Sequence, residues 1–522
     1  MFTSEASNAG RTPKGYRYTA AVKEFALTLH YYSPQAYEYC RSILKLPDPS
    51  SIRNWLLNAN IDTSFLQSVL LKLQHKPDIE KDCALIIDSM SIRKQTLYNS
   101  HTGKYDGFVD YGPGGMVGEH TDVPASEALV FILVALHSNW KVSIAFFYVD
   151  KVQSSIQAQL IRTALDLTAD NGIRIRSLTF DGVAANESMA NSLGCRMDSV
   201  DNMKCYFMHP SLHCPVFVIL DICHMLKLAR NTLADLKVLH NHDGGAIKWE
   251  YIEKLVKLQQ KESLHLANKL SNVHIQWQKL KMKVKVAAQA LSSSVADALL
   301  FLSNFHPDFQ DVNATVEFIR NVDMAFDILN TRSAFGKGWK SPLRASTISV
   351  WESQLTTVAE YLSHLRAADG QPLPYHRRRT FVLGFRVSIQ SIITLSKELL
   401  TRTDNSFQYV LTFKFSQDHI ECLFSKIRSM GGFNNNPNVA QFKSALRKLL
   451  VKQQVSSSAA SNCADSDISG AIFELKWSKR TSPMDDQRFE CLESEPALTM
   501  AADVTFSVVQ NNIIYYIGGY VV

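Results

Sequence analysis

The sequence predicts an α/β protein whose buried sheet carries acidic residues near its strand ends, and whose α/β pattern is interrupted by a long helical segment. Three observations lead to this fold class. Between residues 83 and 234, apolar runs typical of buried strands alternate with amphipathic segments typical of helices. Three of those runs lead into an aspartate, namely Asp88, Asp181 and Asp221. From about residue 235 to residue 375 the apolar spacing becomes helical, without a convincing strand.

The composition is that of a folded protein with several domains and no disulfide framework. At 522 residues the chain is too long for one core, so roughly three domains are expected. Hydrophobic residues make up 46% of the chain, which argues against a disordered protein. The net charge of +6 permits nucleic-acid binding only if basic residues cluster locally. Nine cysteines without a CxxC pair indicate a reducing compartment and disfavour structural zinc.

We expect a soluble protein without a membrane partner. The first residues, MFTSEASNAGRTPKGYRY, lack the apolar segment of a signal peptide. The longest apolar run, ALVFILVAL from Ala128 to Leu136, is far shorter than the ~20 residues that span a bilayer.

The N-terminal part predicts three short helices between residues 18 and 57. The first is AAVKEFALTL, and the second begins at Ser33 and Pro34, a cap followed by proline at the first helical position. The third, IRNWLL, follows a turn that begins at Pro47. Such a bundle suits a helix-turn-helix that contacts DNA or forms a dimer, and it is also common as plain scaffolding.

The next segments predict a mixed sheet with covering helices. The predicted strands are CALIIDSMSI, YDGFVDYG, ALVFILVAL, WKVSIAFFYV, IRSLTFDG and VFVILDICH. A helix, SIQAQLIRTALDLTADNG, precedes the fifth of these strands, and HMLKLARNTL follows the sixth. After the helical interruption, the segment DHIECLFSKIR has helical apolar spacing with Glu421 beside the apolar row. Glu421 is then either part of a frayed surface edge or directed towards a metal site.

The acidic residues permit two interpretations. An aspartate at one strand end is more often a turn cap than a ligand. Three acidic residues on one sheet and a later glutamate favour a metal site, because two-metal phosphoryl transfer needs two or three carboxylates around cations ~3.5–4 Å apart. Magnesium prefers such oxygen ligands. Asp88, Asp181 and Glu421 have the arrangement that a ribonuclease-H-like fold uses.

With these motifs the chain resembles the P-element transposase family, including its animal THAP domain-containing relatives. The matching blocks run in one order from about residue 26 to residue 445. They are LHYYSPQAYEYCR, IIDSMSIRKQTLY, YDGFVDYG, EALVFILVALHSNWKVSIAFFYV, LTFDGVAANESM, DICHMLKLARN, MKVKVAAQALSSSVADAL, FDILNTRS and FSQDHIECLFSKIRSMGG.

The resemblance implies a ribonuclease-H-like (DDE transposase) core that is interrupted by an all-helical insertion and preceded by a small helix-turn-helix-like domain. The expected domains are 1–75 (helical), 76–234 (first part of the core), 235–375 (guanine-nucleotide-binding insertion), 376–450 (last part of the core) and 451–522 (a polar linker and a truncated C-terminal segment). The family's N-terminal THAP zinc finger and its C-terminal end are expected to be missing.

The resemblance also implies the chemistry. Asp88, Asp181 and Glu421 would be the catalytic acids and the ligands of two Mg²⁺ ions. A water activated by the metals would cut the transposon ends of double-stranded DNA, and the freed 3′ hydroxyl would attack target DNA. Asp221 is expected to cap a helix or to lie near the DNA backbone. Zinc binding by His224 and Cys223 is disfavoured.

The implied insertion binds GTP, although no standard P-loop exists. The nearest fragment, FGKGWKS, has Trp339 where the motif needs glycine, and NKLS lacks the aspartate of NKxD. By similarity the nucleotide residues are Lys283, Val284, Ser292, Asp327, Asn330 and Asp418. Alternating lysines are also typical of a solvated edge, and FDILN of ordinary helix packing. Without an evident base or arginine finger, GTP is expected to position rather than to be hydrolysed.

The implied partners are DNA and further copies of the chain, in the nucleus. The basic cluster Arg377–Arg379 is either a phosphate contact or a surface linker. Two alternatives remain: a domesticated descendant that binds DNA or a nucleotide without cutting, and a self-contained nuclease or nucleotide-binding enzyme of ribonuclease-H type.

Overall fold

The computed structural model describes residues 16–52, 62–99, 103–112, 122–197, 202–263, 266–267, 269–404, 406–432 and 434–459. These residues form two compact units. The core unit lies within Met1–Met225, Phe326–Ala359 and Thr380–Phe473, and the insertion unit lies within Leu226–Ala325 and Glu360–Arg379. This division differs from the predicted insertion of 235–375, because residues 326–359 belong to the core unit. An amphipathic pattern shows which face of a helix is buried, but not against which partner.

Two of the three predicted N-terminal helices lie in the described residues, as α1 (Ala20–Tyr32) and α2 (Pro34–Ile43). The Ser33 hydroxyl accepts a hydrogen bond from the amide of Ala36 at 3.0 Å, so the Ser-Pro signal starts α2 as expected. Tyr37 is fully buried in the small core between the helices. The third predicted helix lies outside the described residues from position 53 onward.

The core unit is built on one seven-stranded mixed sheet with the order β1-β6-β5-β2-β7-β9-β8. Its strands are β1 (Ser64–Phe65), β2 (Asp82–Ser91), β5 (Glu127–Ala135), β6 (Lys141–Val149), β7 (Arg174–Phe180), β8 (Tyr206–Met208) and β9 (Pro215–Leu220). β2, β7 and β9 are parallel neighbours, whereas the other pairs are antiparallel. β5 and β6 are buried almost throughout, which explains their continuous apolar runs. A small hairpin, β3 (Leu97–Asn99) and β4 (Lys104–Asp106), follows β2.

Helices cover the sheet and complete the α/β fold. They are α3 (Gln67–Gln74), α4 (Ser154–Asp170), α5 (Ala184–Leu193), α6 (Ile222–Leu236, shared with the insertion unit), α12 (Ile348–Ser363, also shared with the insertion unit), α13 (Thr380–Leu400), α14 (Asp418–Met430) and α15 (Val439–Ala459). The polar linker predicted from residue 453 is therefore helical up to residue 459. The predicted α/β architecture, a buried mixed sheet with covering helices, is confirmed.

Helix α13 protects an edge of the sheet by close contact. β8 is short, so the last residues of β9 have no neighbouring strand on that side. The Ser388 hydroxyl accepts from the amide of Leu220 and donates to its carbonyl, at 3.0 and 2.9 Å. A Cβ on Gly384 would lie 1.9 Å from the sulfur of Met225, so glycine permits this close approach. Helix hydroxyls thereby satisfy backbone groups that an eighth strand would otherwise pair.

The insertion unit is mainly helical but contains a three-stranded sheet, which corrects the expectation of an all-helical insertion. Its helices, besides most of α6, are α7 (Glu250–Glu262), α8 (Asn272–Ile275), α9 (Val284–Ala290), α10 (Ser293–Ser303) and most of α11 (Asn313–Leu329). Its strands are β10 (Val238–His240), β11 (Ala246–Lys248) and β12 (Arg366–Ala367). Strands of two or three residues are too short to give a periodic signal.

One segment of the described chain, Val284–Ser303, is apolar and long enough by composition to cross a membrane. Half of its residues are buried inside the protein. The segment also divides into α9 and α10 at Leu291 and Ser292.

Candidate active site at the carboxyl edge of the sheet

The register of the parallel strands brings three aspartates into one row. Ile86 of β2 lies opposite Thr179 of β7, so continuing the pairing by two residues aligns Asp88 with Asp181. The pairing of β7 with β9 continues in the same way and aligns Asp181 with Asp221. Neighbouring strands lie ~4.8 Å apart, so the row is compact. Asp181 and Asp221 directly follow their strands, whereas Asp88 lies inside β2, three residues before its end.

The Asp181 side chain is held by the helix that follows it. Asn186 on α5 donates to the Asp181 carboxylate at 2.5 Å, and the amide of Val183 approaches it at 3.4 Å. Gln157 on α4 in turn donates to the Asn186 side-chain oxygen at 3.1 Å. A chain of amides therefore orients this carboxylate towards the edge of the sheet.

Glu421 lies in the first turn of α14, a segment with several anchors to the sheet. The side chain of Gln417 donates to the carbonyl of Ile87, the residue before Asp88, at 2.9 Å. The buried Lys414 donates to the carbonyls of Ala135, Leu136 and Ser138 at 2.7–3.1 Å. Burial lowers the pKa of Lys414 to about 8. These contacts fix the start of the helix, and Glu421 itself is exposed at the site.

His419 is a further anchor of α14 on its buried side. Its Nε2 donates to the carbonyl of Phe413 at 3.1 Å, since a carbonyl can only accept. Its Nδ1 is therefore free to accept from Lys141, 3.2 Å away. Burial, followed by the charge of Lys141, lowers the pKa of His419 to about 3, so the ring is neutral.

Asp221 connects two helix starts. One carboxylate oxygen accepts from the amide of His224 on α6 at 2.8 Å. The other accepts from the amide of Gln417 at 3.0 Å and from the Ser416 hydroxyl at 3.2 Å. Asp221 is only 2% exposed. The expected capping role is thus visible, and it extends to the helix that carries Glu421.

The pKa of Asp88 shows that the acids interact through their charges. The pKa of Asp88 is raised to about 7, first by burial and further by the charges of Asp181, Glu421 and Asp221. A hard divalent cation fits this donor set, because it would be bound by carboxylate oxygens and would relieve their repulsion. Within the residues that the structure describes, no three Asp, Glu, His or Cys side chains converge as a metal-binding group. The acids therefore face one another without forming a closed ligand set.

Three of the residues expected to bind the nucleotide lie in the core unit. Asp327, on α11, lies 3.6 Å from the ammonium of Lys340. Asn330 follows the end of α11, and its buried side-chain oxygen has no hydrogen-bond partner among the described residues. Asp418 forms an ion pair with Arg332 at the start of α14. The amide oxygen of Asn330 is thus available to a polar ligand, whereas the Asp327 carboxylate is paired with Lys340.

The other three expected nucleotide residues lie in the insertion unit. Lys283 precedes α9 and is exposed, and Val284 is the first residue of that helix. Ser292 precedes α10, and its hydroxyl donates to the carbonyl of Gln289 at 3.0 Å rather than accepting from the helix. The adjacent Ser293 is held by Asp323, which accepts from its amide at 2.8 Å.

The basic cluster Arg377–Arg379 contains both an arginine in an ion pair and an exposed arginine. Arg378 forms an ion pair with Asp235 inside the insertion unit, whereas Arg377 is exposed. Both predicted roles, a phosphate contact and a surface linker, remain open for this cluster.

Sequence reasoning missed the residues that hold α14 in place. The sequence assigned no role to Gln417, Lys414, His419 and Lys141, because their partners lie about 280–330 positions away in the chain. The available signal was the concentration of polar residues in FKFSQDH, where an ordinary helix start would need only one cap.

Comparisons with protein-family models identify four consecutive domains of one architecture. The matches are "Transposable element P transposase-like, HTH domain" at residues 2–55, "TNP-like, RNase H N-terminal domain" at 58–194, "TNP-like, GTP-binding insertion domain" at 223–342 and "TNP-like, RNase H C-terminal domain" at 413–447. The fold and its acidic edge therefore define a ribonuclease-H-like core with a GTP-binding insertion domain.

Individual proteins that are similar to this chain indicate its family. The chain is 30% identical over 443 residues to human DNA transposase THAP9, covering 83% of this chain and 48% of that protein. It is 24% identical over 506 residues to the transposable element P transposase of Drosophila melanogaster, covering 95% of this chain and 63% of that protein. The solved Drosophila P element transposase strand transfer complex matches with a TM-score of 0.72 and 23% identity, covering 86% of this chain and 95% of the solved one. This chain belongs to the P-element transposase family.

Proposed function

We propose that this chain is the core of a P-element-type DNA transposase, which cuts and joins DNA strands by metal-dependent phosphoryl transfer. The observation that carries the proposal is the row of Asp88, Asp181 and Asp221 on three parallel strands, with the start of the Glu421 helix hydrogen-bonded to the same edge. Burial first, and then the charges of Asp181, Glu421 and Asp221, raise the pKa of Asp88, which is consistent with acids that lie close together.

In this mechanism Asp88, Asp181 and Glu421 hold two Mg²⁺ ions. Bound divalent cations stabilise the charge that develops on the attacking and leaving oxygens of a phosphodiester. The chain's own groups provide positioning. Asn186 and Gln157 orient Asp181, and the anchors of α14 present Glu421 at the edge of the sheet.

The GTP-binding insertion domain supports GTP as the nucleotide, and we propose that GTP serves as a positioning cofactor rather than being hydrolysed. We propose Lys283, Val284 and Ser292 for contacts to phosphates, and Asp327 and Asn330 for the guanine edge. The unsatisfied oxygen of Asn330 and the acidic Asp327 can accept hydrogen bonds that guanine donates and adenine does not. Asp418, three residues before Glu421, would connect nucleotide binding to the catalytic helix.

The partners proposed for this reaction are double-stranded DNA, both transposon ends and target, and further copies of the chain that bridge two ends. A nuclear location is part of this proposal and follows only from the proposed DNA substrate. The chain spans about half to two thirds of the relatives above, so the sequence-specific DNA recognition of a whole transposase is not assigned to it.

Cleavage of labelled duplex DNA in the presence of Mg²⁺ tests this proposal. The unchanged chain is expected to cut, and Asp181→Ala is expected to be inactive while remaining folded. Asp235→Asn, which removes an acid paired with Arg378 in the insertion unit, is the matched control and should retain activity. Cleavage by Asp181→Ala at the rate of the unchanged chain would overturn the assignment.

The nucleotide assignment needs a separate test, because GTP binding and cleavage are separable. Labelled GTP is expected to bind the unchanged chain and to bind Asp327→Ala at least about 10-fold more weakly, the loss expected for a charge-assisted hydrogen bond. Equal retention of GTP by both proteins would remove Asp327 from the site.

One observation favours a second candidate, a domesticated protein that binds DNA or GTP without cutting. The described acids do not form a closed metal-binding group. In the cleavage assay this candidate predicts DNA binding by the unchanged chain without any Mg²⁺-dependent cutting.

A further inference from the structure

A loop beside the catalytic helix has a composition that the proposed mechanism does not use. Residues 332–344, here called the aromatic loop, contain the fragment FGKGWKS. They carry four basic residues, Arg332, Lys337, Lys340 and Arg344, and no Asp or Glu occurs between positions 331 and 351. Phe335 is 92% exposed and Trp339 is 41% exposed. Aromatic residues interleaved with cations are typical of surfaces that bind nucleic acid.

Both ends of the aromatic loop are fixed to the segment that leads into α14. At its start, the amide of Thr331 donates to the Thr412 hydroxyl at 2.9 Å, and the amide of Phe413 donates to the Thr331 carbonyl at 3.1 Å. At its end, Leu343 and Val410 exchange backbone hydrogen bonds of 3.1 and 2.8 Å. The loop is therefore attached to the element that positions Glu421.

One side chain connects the loop directly to the catalytic helix. Arg332 forms an ion pair with Asp418, the first residue of α14. Glu421 follows on the same helix, three residues later. A ligand that binds the aromatic loop therefore lies beside the start of α14, which carries Glu421.

The backbone of the aromatic loop is held in a defined conformation, although Phe335 within it is exposed. A Cβ on Gly336 would lie 1.9 Å from the carbonyl oxygen of Lys340, so only glycine permits this turn. The Ser341 hydroxyl donates to the carbonyl of Gly338 at 2.7 Å, and Gly338 has a φ of +57°. A preorganised loop that holds an aromatic ring in water loses little conformational entropy when that ring meets a partner.

We propose that the aromatic loop binds DNA beside the catalytic site, with Phe335 and Trp339 stacking on bases and Lys337 neutralising a phosphate. The inference rests on the proposed function and adds a DNA-contacting element to it. A guanine nucleotide is a poorer occupant, because small-molecule sites are concave and bury most of their ligand, whereas Phe335 projects into solvent. A projecting ring fits against or between bases of DNA.

Binding of the full chain to a fluorescein-labelled duplex, measured without Mg²⁺ so that no cleavage intervenes, tests the inference. Phe335→Ala is expected to weaken binding by about 5- to 100-fold, the range of base-stacking contacts. Phe335→Trp should preserve it. Lys337→Ala is expected to lower the slope of log affinity against log salt by about 1. Leu71→Ala, which removes another exposed apolar side chain of the core unit, is the matched control and should bind normally.

The outcomes separate this inference from the proposed function. If the unchanged chain fails to cut DNA but Phe335→Ala weakens duplex binding, the loop remains a DNA contact and only the transposase proposal fails. If Phe335→Ala and Lys337→Ala bind and cut DNA like the unchanged chain, the inference is overturned. It is equally overturned if both variants lose labelled GTP while duplex binding is unchanged.

Discussion

At the scale of single residues, the side chains of this protein act through partners that local sequence does not reveal. Asp181 is oriented by Asn186, which is itself oriented by Gln157 on another helix. The buried Asp82, at the opposite end of β2 from the site, is held by Arg174 and Arg402. The contacts of Asp181 support the proposed chemistry, whereas those of Asp82 support the stability of the fold.

Replacing Asn186 with alanine should reduce catalysis without unfolding the chain. The Asp181 carboxylate would lose its donor at 2.5 Å and reorient. Loss of such a supporting contact typically costs about 10- to 100-fold in metal affinity or activity. The measurement is the Mg²⁺ concentration for half-maximal cleavage, which should rise. Ser192→Ala on the same helix should leave it unchanged, and an unaltered value for Asn186→Ala would show that Asp181 needs no orienting partner.

The ion pairs of Asp82 predict how stability changes with pH. Burial alone would raise the pKa of Asp82, but hydrogen bonds from Arg402 and Arg174 outweigh it and leave the pKa below its usual 3.8. A depressed carboxyl pKa stabilises the fold above the unfolded-state pKa, and this contribution is lost as pH falls through the folded-state pKa.

Asp82→Asn should therefore lower the free energy of unfolding by about 3 kcal/mol at pH 7, because the half-buried Arg174 and Arg402 lose their fully buried anionic partner. Urea unfolding should show this difference shrinking as the pH falls below about 4. Asp78→Asn, an exposed partner of the same Arg174, should change stability by less than about 1 kcal/mol. A difference independent of pH would contradict the ionised state of Asp82.

At the scale of elements, the site depends on where α14 begins. That helix start is set by contacts to β2 through Gln417 and to β9 through Asp221. Five of the predicted strands and the first two helices follow from periodicity and caps that lie within each segment. The predicted strand YDGFVDYG is a strand only at Tyr105 and Asp106, in the small hairpin, and Asp110 forms an isolated bridge to Tyr148. The position of α14 does not, because the groups that set it are separated by more than 190 residues along the chain.

Asp221→Asn should slow cleavage by about 10-fold or more while the chain stays folded. An amide keeps one acceptor but loses the second, so it cannot cap α6 and hold Gln417 together. A positioning role predicts a lower cleavage rate with nearly unchanged DNA affinity. The test is to measure the cleavage rate and the DNA affinity of Asp221→Asn and of Asp235→Asn as control. Normal cleavage by Asp221→Asn would mean that the remaining anchors suffice for α14.

At the scale of the whole molecule, the sequence predicts the order of the domains better than it predicts which elements each domain contains. The apolar runs mark Asp88, Asp181, Asp221 and Glu421 as candidates, whereas the choice of Asp88, Asp181 and Glu421 as catalytic acids comes from the resemblance to the family. The small sheet of β10, β11 and β12 was missed, because its strands are two or three residues long. Residues 326–359 pack with the core unit through tertiary contacts that no local pattern encodes.

The most direct test of the central claim is binding of Mn²⁺, followed by electron paramagnetic resonance, to the full chain with duplex DNA. Asp88, Asp181 and Glu421 lie 93 to 333 positions apart in the chain and are proposed to hold the same cations. The unchanged chain should bind Mn²⁺, and Asp88→Asn, Asp181→Asn and Glu421→Gln should each weaken that binding by at least about 10-fold. Mn²⁺ binding that survives all three substitutions would contradict a shared site.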